Sequence, residues 1–187
     1  MAASENRVEA SSMNEWYLLA CAGLPTGRVN PVGAARELEV RREITIDAPA
    51  PAVWAVCGDF GAIERWLSAV VKTTLTRGDN NAVGAVRHLD VKGGGTVDEE
   101  LLAFSVANHS LAYRILAGVL PVSDYRSDFA VKDVGQGRTV VTWSSTFRRK
   151  DTGSNPAANA NDEAALAAIT RLYETGLADL KRAVESA

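Results

Sequence analysis

One stretch near the C-terminus constrains what the whole chain can fold into. Between residues 162 and 185, Leu166, Ile169, Tyr173, Leu177, Leu180 and Val184 recur at spacings of 3, 4, 4, 3 and 4. That period puts all six on one face of an amphipathic helix. Asn161 stands where an N-cap belongs, and Asp162 and Glu163 fall in the first turn, where the helix dipole favours acidic side chains. A long helix with one apolar stripe needs a surface to lie on, and everything before it that shows periodicity reads as strand.

The first strand begins at Leu38. Leu38, Val40, Ile44 and Ile46 share one parity, while Glu39, Arg41, Glu43 and Thr45 take the other, as a half-buried strand requires. Asp47-Ala48-Pro49-Ala50-Pro51 ends it. Val53, Trp54, Val56 and Cys57 then recur at helical spacing, Gly58 and Gly61 interrupt, and a second short helix is predicted around Ile63 to Trp66. Six further strands follow, over 69–77, 84–91, 96–105, 110–117, 123–133 and 138–149. Gly78-Asp79-Asn80-Asn81, Gly93-Gly94-Gly95, Ala107-Asn108 and Gly135-Gln136-Gly137 punctuate them. Short loops between consecutive strands imply an antiparallel meander. The predicted fold is therefore α+β: seven curved antiparallel strands, two short helices after the first, and one long C-terminal helix covering the inner face.

Residues 1–36 lack sustained periodicity and are read as a partly disordered extension, with 37–187 as the folded domain; Trp16-Tyr17-Leu18-Leu19 is the extension's one strongly apolar string. Glu5, Glu9 and Glu15 precede it, the wrong charge for a signal peptide, and no run reaches the roughly 18 apolar residues of a membrane span. A net charge of −3 with no basic cluster longer than Arg148-Arg149-Lys150 argues against nucleic acid and anionic membranes as partners. Cys21 and Cys57 make no paired spacing, so neither a disulfide framework nor a zinc site is expected, and a cytoplasmic location is the default. His88 and His109 have no cluster of cysteines or carboxylates beside them, which argues against a metal site there. The oligomeric state is not encoded in these patterns.

Strand parity separates the two faces of the sheet. Arg87, Leu89 and Val91 share a side, then Val97, Glu99 and Leu101, then Leu111, Tyr113 and Ile115. Tyr125, Ser127, Phe129 and Val131 follow, and last Val141, Trp143, Ser145 and Phe147. These sets are mostly apolar and so face inward. Within them Arg87, Glu99, Tyr113, Tyr125, Ser127 and Ser145 stand out, because polar groups on a buried face must be paired or must serve a ligand. Two readings stay open for Arg87 and Glu99: an ion pair tying neighbouring strands, or polar groups of a cavity that orient a bound molecule. For Tyr173, on the apolar face of the helix, two readings also stay open: a phenol pointing into the same space, or one half-exposed at the edge of the helix.

Several strings share their order with a known group of proteins. They are Ile46-Asp47-Ala48-Pro49 with Val53-Trp54, Gly58-Asp59-Phe60 with Ile63 and Trp66, Val83-Gly84-Ala85-Val86-Arg87, Glu99-Glu100-Leu101, Leu111-Ala112-Tyr113-Arg114-Ile115 and Asp124-Tyr125-Arg126-Ser127. Together, over residues 38 to 186, they resemble the START-like SRPBCC superfamily in its polyketide cyclase/dehydrase and birch-pollen-allergen-like branch. The resemblance implies a helix-grip fold with a ligand cavity. Plant abscisic acid receptors are similar at Glu99, Tyr125 and Ser127, but their gate and latch motifs are replaced here by Lys92-Gly93-Gly94-Gly95 and Val119-Leu120-Pro121, which argues against a hormone receptor of that type. Fern hydroxynitrile lyase and onion lachrymatory-factor synthase, enzymes without a cofactor, are similar at Arg87, and the fern enzyme also at Tyr113 and Tyr173.

The resulting expectation is a small, mostly apolar organic molecule bound in an internal cavity and converted without a cofactor, by lyase, cyclase or isomerase chemistry. The alternative is a non-catalytic carrier or sensor. Arg87, Glu99, Tyr113 and Tyr173 are the candidate catalytic residues. Asp98 stays open as the acid, because local strings favour it whereas parity favours Glu99. Trp66, Leu89, Leu101, Tyr125, Ser127, Phe129, Trp143, Ser145 and Ile169 are the candidate ligand-binding residues.

Overall fold

The computed structural model describes residues 35 to 186. Most of the predicted extension, with Trp16 to Leu19 and Cys21, lies outside the described residues. β1 (Leu38–Ile46) alternates buried and exposed side chains along most of its length and stops at Asp47. Pro51 sits in the first turn of helix α1 (Ala50–Cys57), where a missing N–H costs nothing, and Gly58 follows it. A short 3-10 helix, Phe60–Arg65, comes next. Asp59 caps it by accepting from Gly61 N, and the β2–β3 loop holds it from outside: Phe60 N donates to Asn81 Oδ1 and Gly61 N to Asn80 Oδ1, each at 2.9 Å. The loop that reads as a turn in sequence is thus also a clamp, and it fixes the place of Phe60.

The remaining strands are β2 (Val70–Arg77), β3 (Val86–Val91), β4 (Thr96–Ser105), β5 (Ser110–Gly118), β6 (Val122–Gly135) and β7 (Arg138–Arg149). They form one antiparallel sheet in the order β1-β7-β6-β5-β4-β3-β2. The meander runs from β2 to β7, and β1 closes against β7 with Leu38 opposite Phe147 and Ile46 opposite Thr139. Each sequence-predicted strand is present, with ends shifted by at most two residues.

Helix α2 (Asp162–Glu185) crosses the inner face. Asn161 caps it, its side chain accepting from Ala164 N at 2.8 Å. Ile169, Tyr173, Leu177 and Leu180 are buried, with Leu166 and Val184 at the margin of the core. Burying the three aliphatic side chains contributes about 1.5–3 kcal/mol each. Ala165, Ala168 and Gly176 are buried beside them, so the contact stripe is wider than its large residues suggest. Gly176 matters most: a Cβ there would stand 2.8 Å from both Leu67 Cδ1 and Trp143 Cζ3, so its absence is what lets the helix approach the sheet at Trp143. No helix among the described residues is long and apolar enough to cross a membrane.

Candidate functional site

The site grows from one rung of the β3–β4 ladder. Arg87 lies directly opposite Glu99, so both side chains leave the sheet on its inner face. Arg87 Nε donates to Glu99 Oε2 at 2.7 Å, with Nη2 at 2.6 Å from the same oxygen. Its third nitrogen, Nη1, donates to the Phe60 carbonyl at 2.8 Å. The guanidinium carbon sits 4.1 Å from the centre of the Phe60 ring and 5.4 Å from that of Tyr113. Arg87 is 2% exposed and Glu99 6%. Burial raises the Glu99 pKa above the ordinary carboxylate value, against the pull of Arg87.

Asp98, the other acid left open by sequence, points away. It lies on the outer face, 2.6 Å from His88 Nδ1. Strand alternation therefore identifies Glu99 as the acid that meets Arg87, and the local string that favoured Asp98 misleads by one residue, which on a strand is the opposite face.

A second cluster lies across β5, β6, β7 and α2. Ser127 Oγ donates to the Ser144 carbonyl at 2.9 Å, which spends its only proton. Tyr173 OH, 3.2 Å from Ser127 Oγ, must then donate to it, and Tyr125 OH, 2.5 Å from Tyr173 OH, must donate in turn. Trp143 Nε1 donates to Ser127 Oγ at 3.0 Å and to Tyr113 OH at 3.1 Å. The chain of hydrogen bonds ends at Tyr113, whose hydroxyl lies 3.5 Å from Tyr125 OH and also interacts with Ser127. Burial first, then the nearby Glu99 charge, pushes the Tyr113 pKa up to about 12. Tyr125 and Tyr173 are held well above the ordinary phenol value, mainly by burial. Trp143 and Tyr173 stack with ring centres 4.3 Å apart.

Between this cluster, the 3-10 helix and α2, the interior is not filled. A cavity of about 50 Å³ is lined by Leu89, Glu99, Tyr113, Tyr125 and Trp143 among the expected residues. Its wall is completed by residues that sequence reading did not assign to the site, notably Ile63, Leu67, Ile115, Val119, Leu120 and Leu172. Arg87, Tyr173 and Ser127 stand behind that wall, as do Trp66, Leu101, Phe129, Ser145 and Ile169, all buried. Val119 and Leu120 carried one signal that went unused: two apolar residues in a short loop before Pro121. The Gly93 to Gly95 hairpin, with all three φ angles between 80° and 95°, joins the cavity-lining ends Val91 and Val97. Among the described residues no three His, Cys, Asp or Glu side chains gather where they could hold a metal ion.

Comparison with known proteins agrees with this architecture. A family model described as polyketide cyclase / dehydrase and lipid transport matches residues 37–185. An uncharacterized protein from Bacillus thuringiensis has a similar structure, with 28% identity, a TM-score of 0.69 and coverage of 79% of this chain and 99% of its own. The protein XoxI from Bacillus cereus is similar to the same degree, 28% identical with a TM-score of 0.69, over 79% of this chain and 95% of its own. The Zhui aromatase/cyclase of a Streptomyces species shares the fold, with a TM-score of 0.67 at 19% identity over 80% of this chain and 94% of its own.

Proposed function

Because the chain belongs to the polyketide cyclase / dehydrase and lipid transport family, we propose that it binds a small, mostly apolar organic molecule in the cavity between sheet and helix and converts it by proton transfer without a cofactor. The observation that carries this reading is the pairing, in one mostly apolar cavity wall, of a buried carboxylate, Glu99, whose pKa is raised with a buried phenol, Tyr113. A carboxylate in such surroundings is suited to take a proton from carbon or oxygen and return it elsewhere. Tyr113 is suited to donate to the oxygen on which charge develops. Arg87 enters as a positioning residue: its three nitrogens are engaged, and it reaches the ligand only through Glu99. Lyase, cyclase and isomerase reactions all fit this pair of groups. The cavity is far below the roughly 300 Å³ at which ligand pockets begin, so binding requires part of its wall to yield.

A second reading, a carrier or sensor, is favoured by the spent donors of Arg87 and by an otherwise apolar wall. One experiment separates the two. The molecule that co-purifies with the protein is identified by native mass spectrometry and solvent extraction, then incubated with fresh protein in deuterated water. An enzyme of the proposed kind changes it or exchanges a carbon-bound hydrogen for deuterium, and Glu99→Gln abolishes the exchange. A carrier returns it unlabelled.

A further inference from the structure

The sheet has a split that the proposed function does not use. β5 and β6 pair from Ser110↔Ala130 only as far as Arg114↔Arg126. Beyond that point β5 follows β4, reaching Gly118 opposite Val97, while the start of β6 follows β7, with Val122 opposite Arg149. Between the diverging ends lies a groove of about 640 Å³. Its floor includes Leu102, Leu116 and Val122, and its rim carries Arg114, Arg126 and Lys150. Arg114 is paired with Glu100, and the groove's one carboxylate, Asp124, lies 3.7 Å from Arg148. Among the described residues neither Arg126 nor Lys150 has a carboxylate partner; Lys150 Nζ donates to the Gly118 carbonyl at 2.8 Å.

Ile115, Leu120 and Tyr125 line both this groove and the inner cavity, so the two spaces share a wall three side chains long. Their charges are opposite. Inside, every nitrogen of Arg87 is taken and Glu99 faces the cavity, so an anionic group placed there meets a buried carboxylate and no free cation. Outside, two cations stand unmatched above an apolar floor. We propose that the ligand is an amphiphilic acid, its carboxylate held in the β5–β6 groove by Arg126 and Lys150 and its apolar end passing Ile115, Leu120 and Tyr125 into the cavity. The groove's own apolar floor takes the part of the chain that the small cavity does not. This rests on the cavity being the ligand site, and names the class of molecule that reaches it.

Octanoate and octanol are matched probes, equal in apolar length and different in charge. Each is titrated into isotope-labelled full-length protein by nuclear magnetic resonance, alongside a double variant R126Q/K150Q and the blocking variant L120W. Octanoate is expected to bind the unmodified protein about fivefold or more tightly than octanol. It should shift the amide signals of Arg126 and Lys150 together with those of Glu99 and Tyr113. The double variant should lose that preference with octanol binding unchanged, and L120W should weaken both. Equal affinity for the two probes in the unmodified protein, which needs no variant to measure, overturns the proposal and leaves the cavity reading standing. So does a preference for octanoate that survives in R126Q/K150Q. If neither probe moves the Glu99 and Tyr113 signals, the cavity reading falls and this proposal with it.

Discussion

Arg87 and Glu99 are where a structural and a functional account of the same residues diverge in their consequences. A buried ion pair is of little net worth against an apolar replacement of both partners, but removing one partner leaves an uncompensated charge. Arg87→Met strands Glu99 at 6% exposure and also frees the Phe60 carbonyl, so unfolding free energy should fall by about 3–5 kcal/mol in chemical denaturation. A loss below about 1 kcal/mol would mean that water reaches the pair, and that Arg87 serves the ligand directly. Glu99 gives a second test, through pH. Its pKa in the folded protein is raised from 4.5, so between that value and the folded one the native state binds more protons than the unfolded state. Stability from this group is therefore fully present below pH 4.5 and lost as pH rises through the folded pKa. Glu99→Gln removes the titration. The stability of the unmodified protein relative to that variant should decline as pH rises above 4.5, and a relative stability that instead rises with pH would mean that Arg87 outweighs burial.

At the scale of elements, the seven strands and the C-terminal helix were legible because each carries its own period and its own punctuation. Leu38 to Ile46 alternates, Asn161 caps, and Gly135-Gln136-Gly137 turns. What was not legible depends on partners rather than pattern. Gly118 and Pro121 mark the turn between β5 and β6, but nothing in the sequence shows that their pairing already stops at Arg114 and Arg126, several residues before it. The Phe60 carbonyl that occupies Arg87 is a backbone group, invisible to side-chain reading. Ala165, Ala168 and Gly176 carry little hydrophobic signal, yet all three are buried, and Gly176 sets how closely helix and sheet approach at Trp143. Gly176→Ala measures that approach. Helix propensity alone would stabilise the variant by about 1 kcal/mol. Against this, the new methyl meets Trp143, which two hydrogen bonds and the Tyr173 stack hold in place, and Leu67, which can turn aside. Overpacking of this kind costs about 1–3 kcal/mol. The clash should win, with a net loss near 1 kcal/mol and a shift of the Trp143 indole resonance; a more stable variant would show that the helix rides further from the sheet.

For the molecule as a whole, the question is whether the folded domain is complete without the first 34 residues. Two contacts fasten the chain where it enters the domain, Arg148 Nη1 donating to the Ala35 carbonyl and Arg36 Nε lying 3.1 Å from Asp162, and Arg149 Nη1, 2.6 Å from the same carboxylate, holds that acid in place. All of them survive truncation before Ala35. The core beneath is closed by residues of the domain itself, with Leu38 at 5% exposure at the start of β1 and Phe147 at 1% opposite it. Deleting residues 1–34 should thus remove little buried surface. In a domain of this size 1 kcal/mol moves the melting temperature by about 2–4 °C, so the midpoint of thermal unfolding should stay within a few degrees of the full chain. A fall of about 10 °C or more would correspond to several kcal/mol, the worth of two or three large apolar side chains. Trp16 to Leu19 is the one string in those residues able to supply it. That outcome would make the apolar string part of the core and move the domain boundary to its N-terminal side.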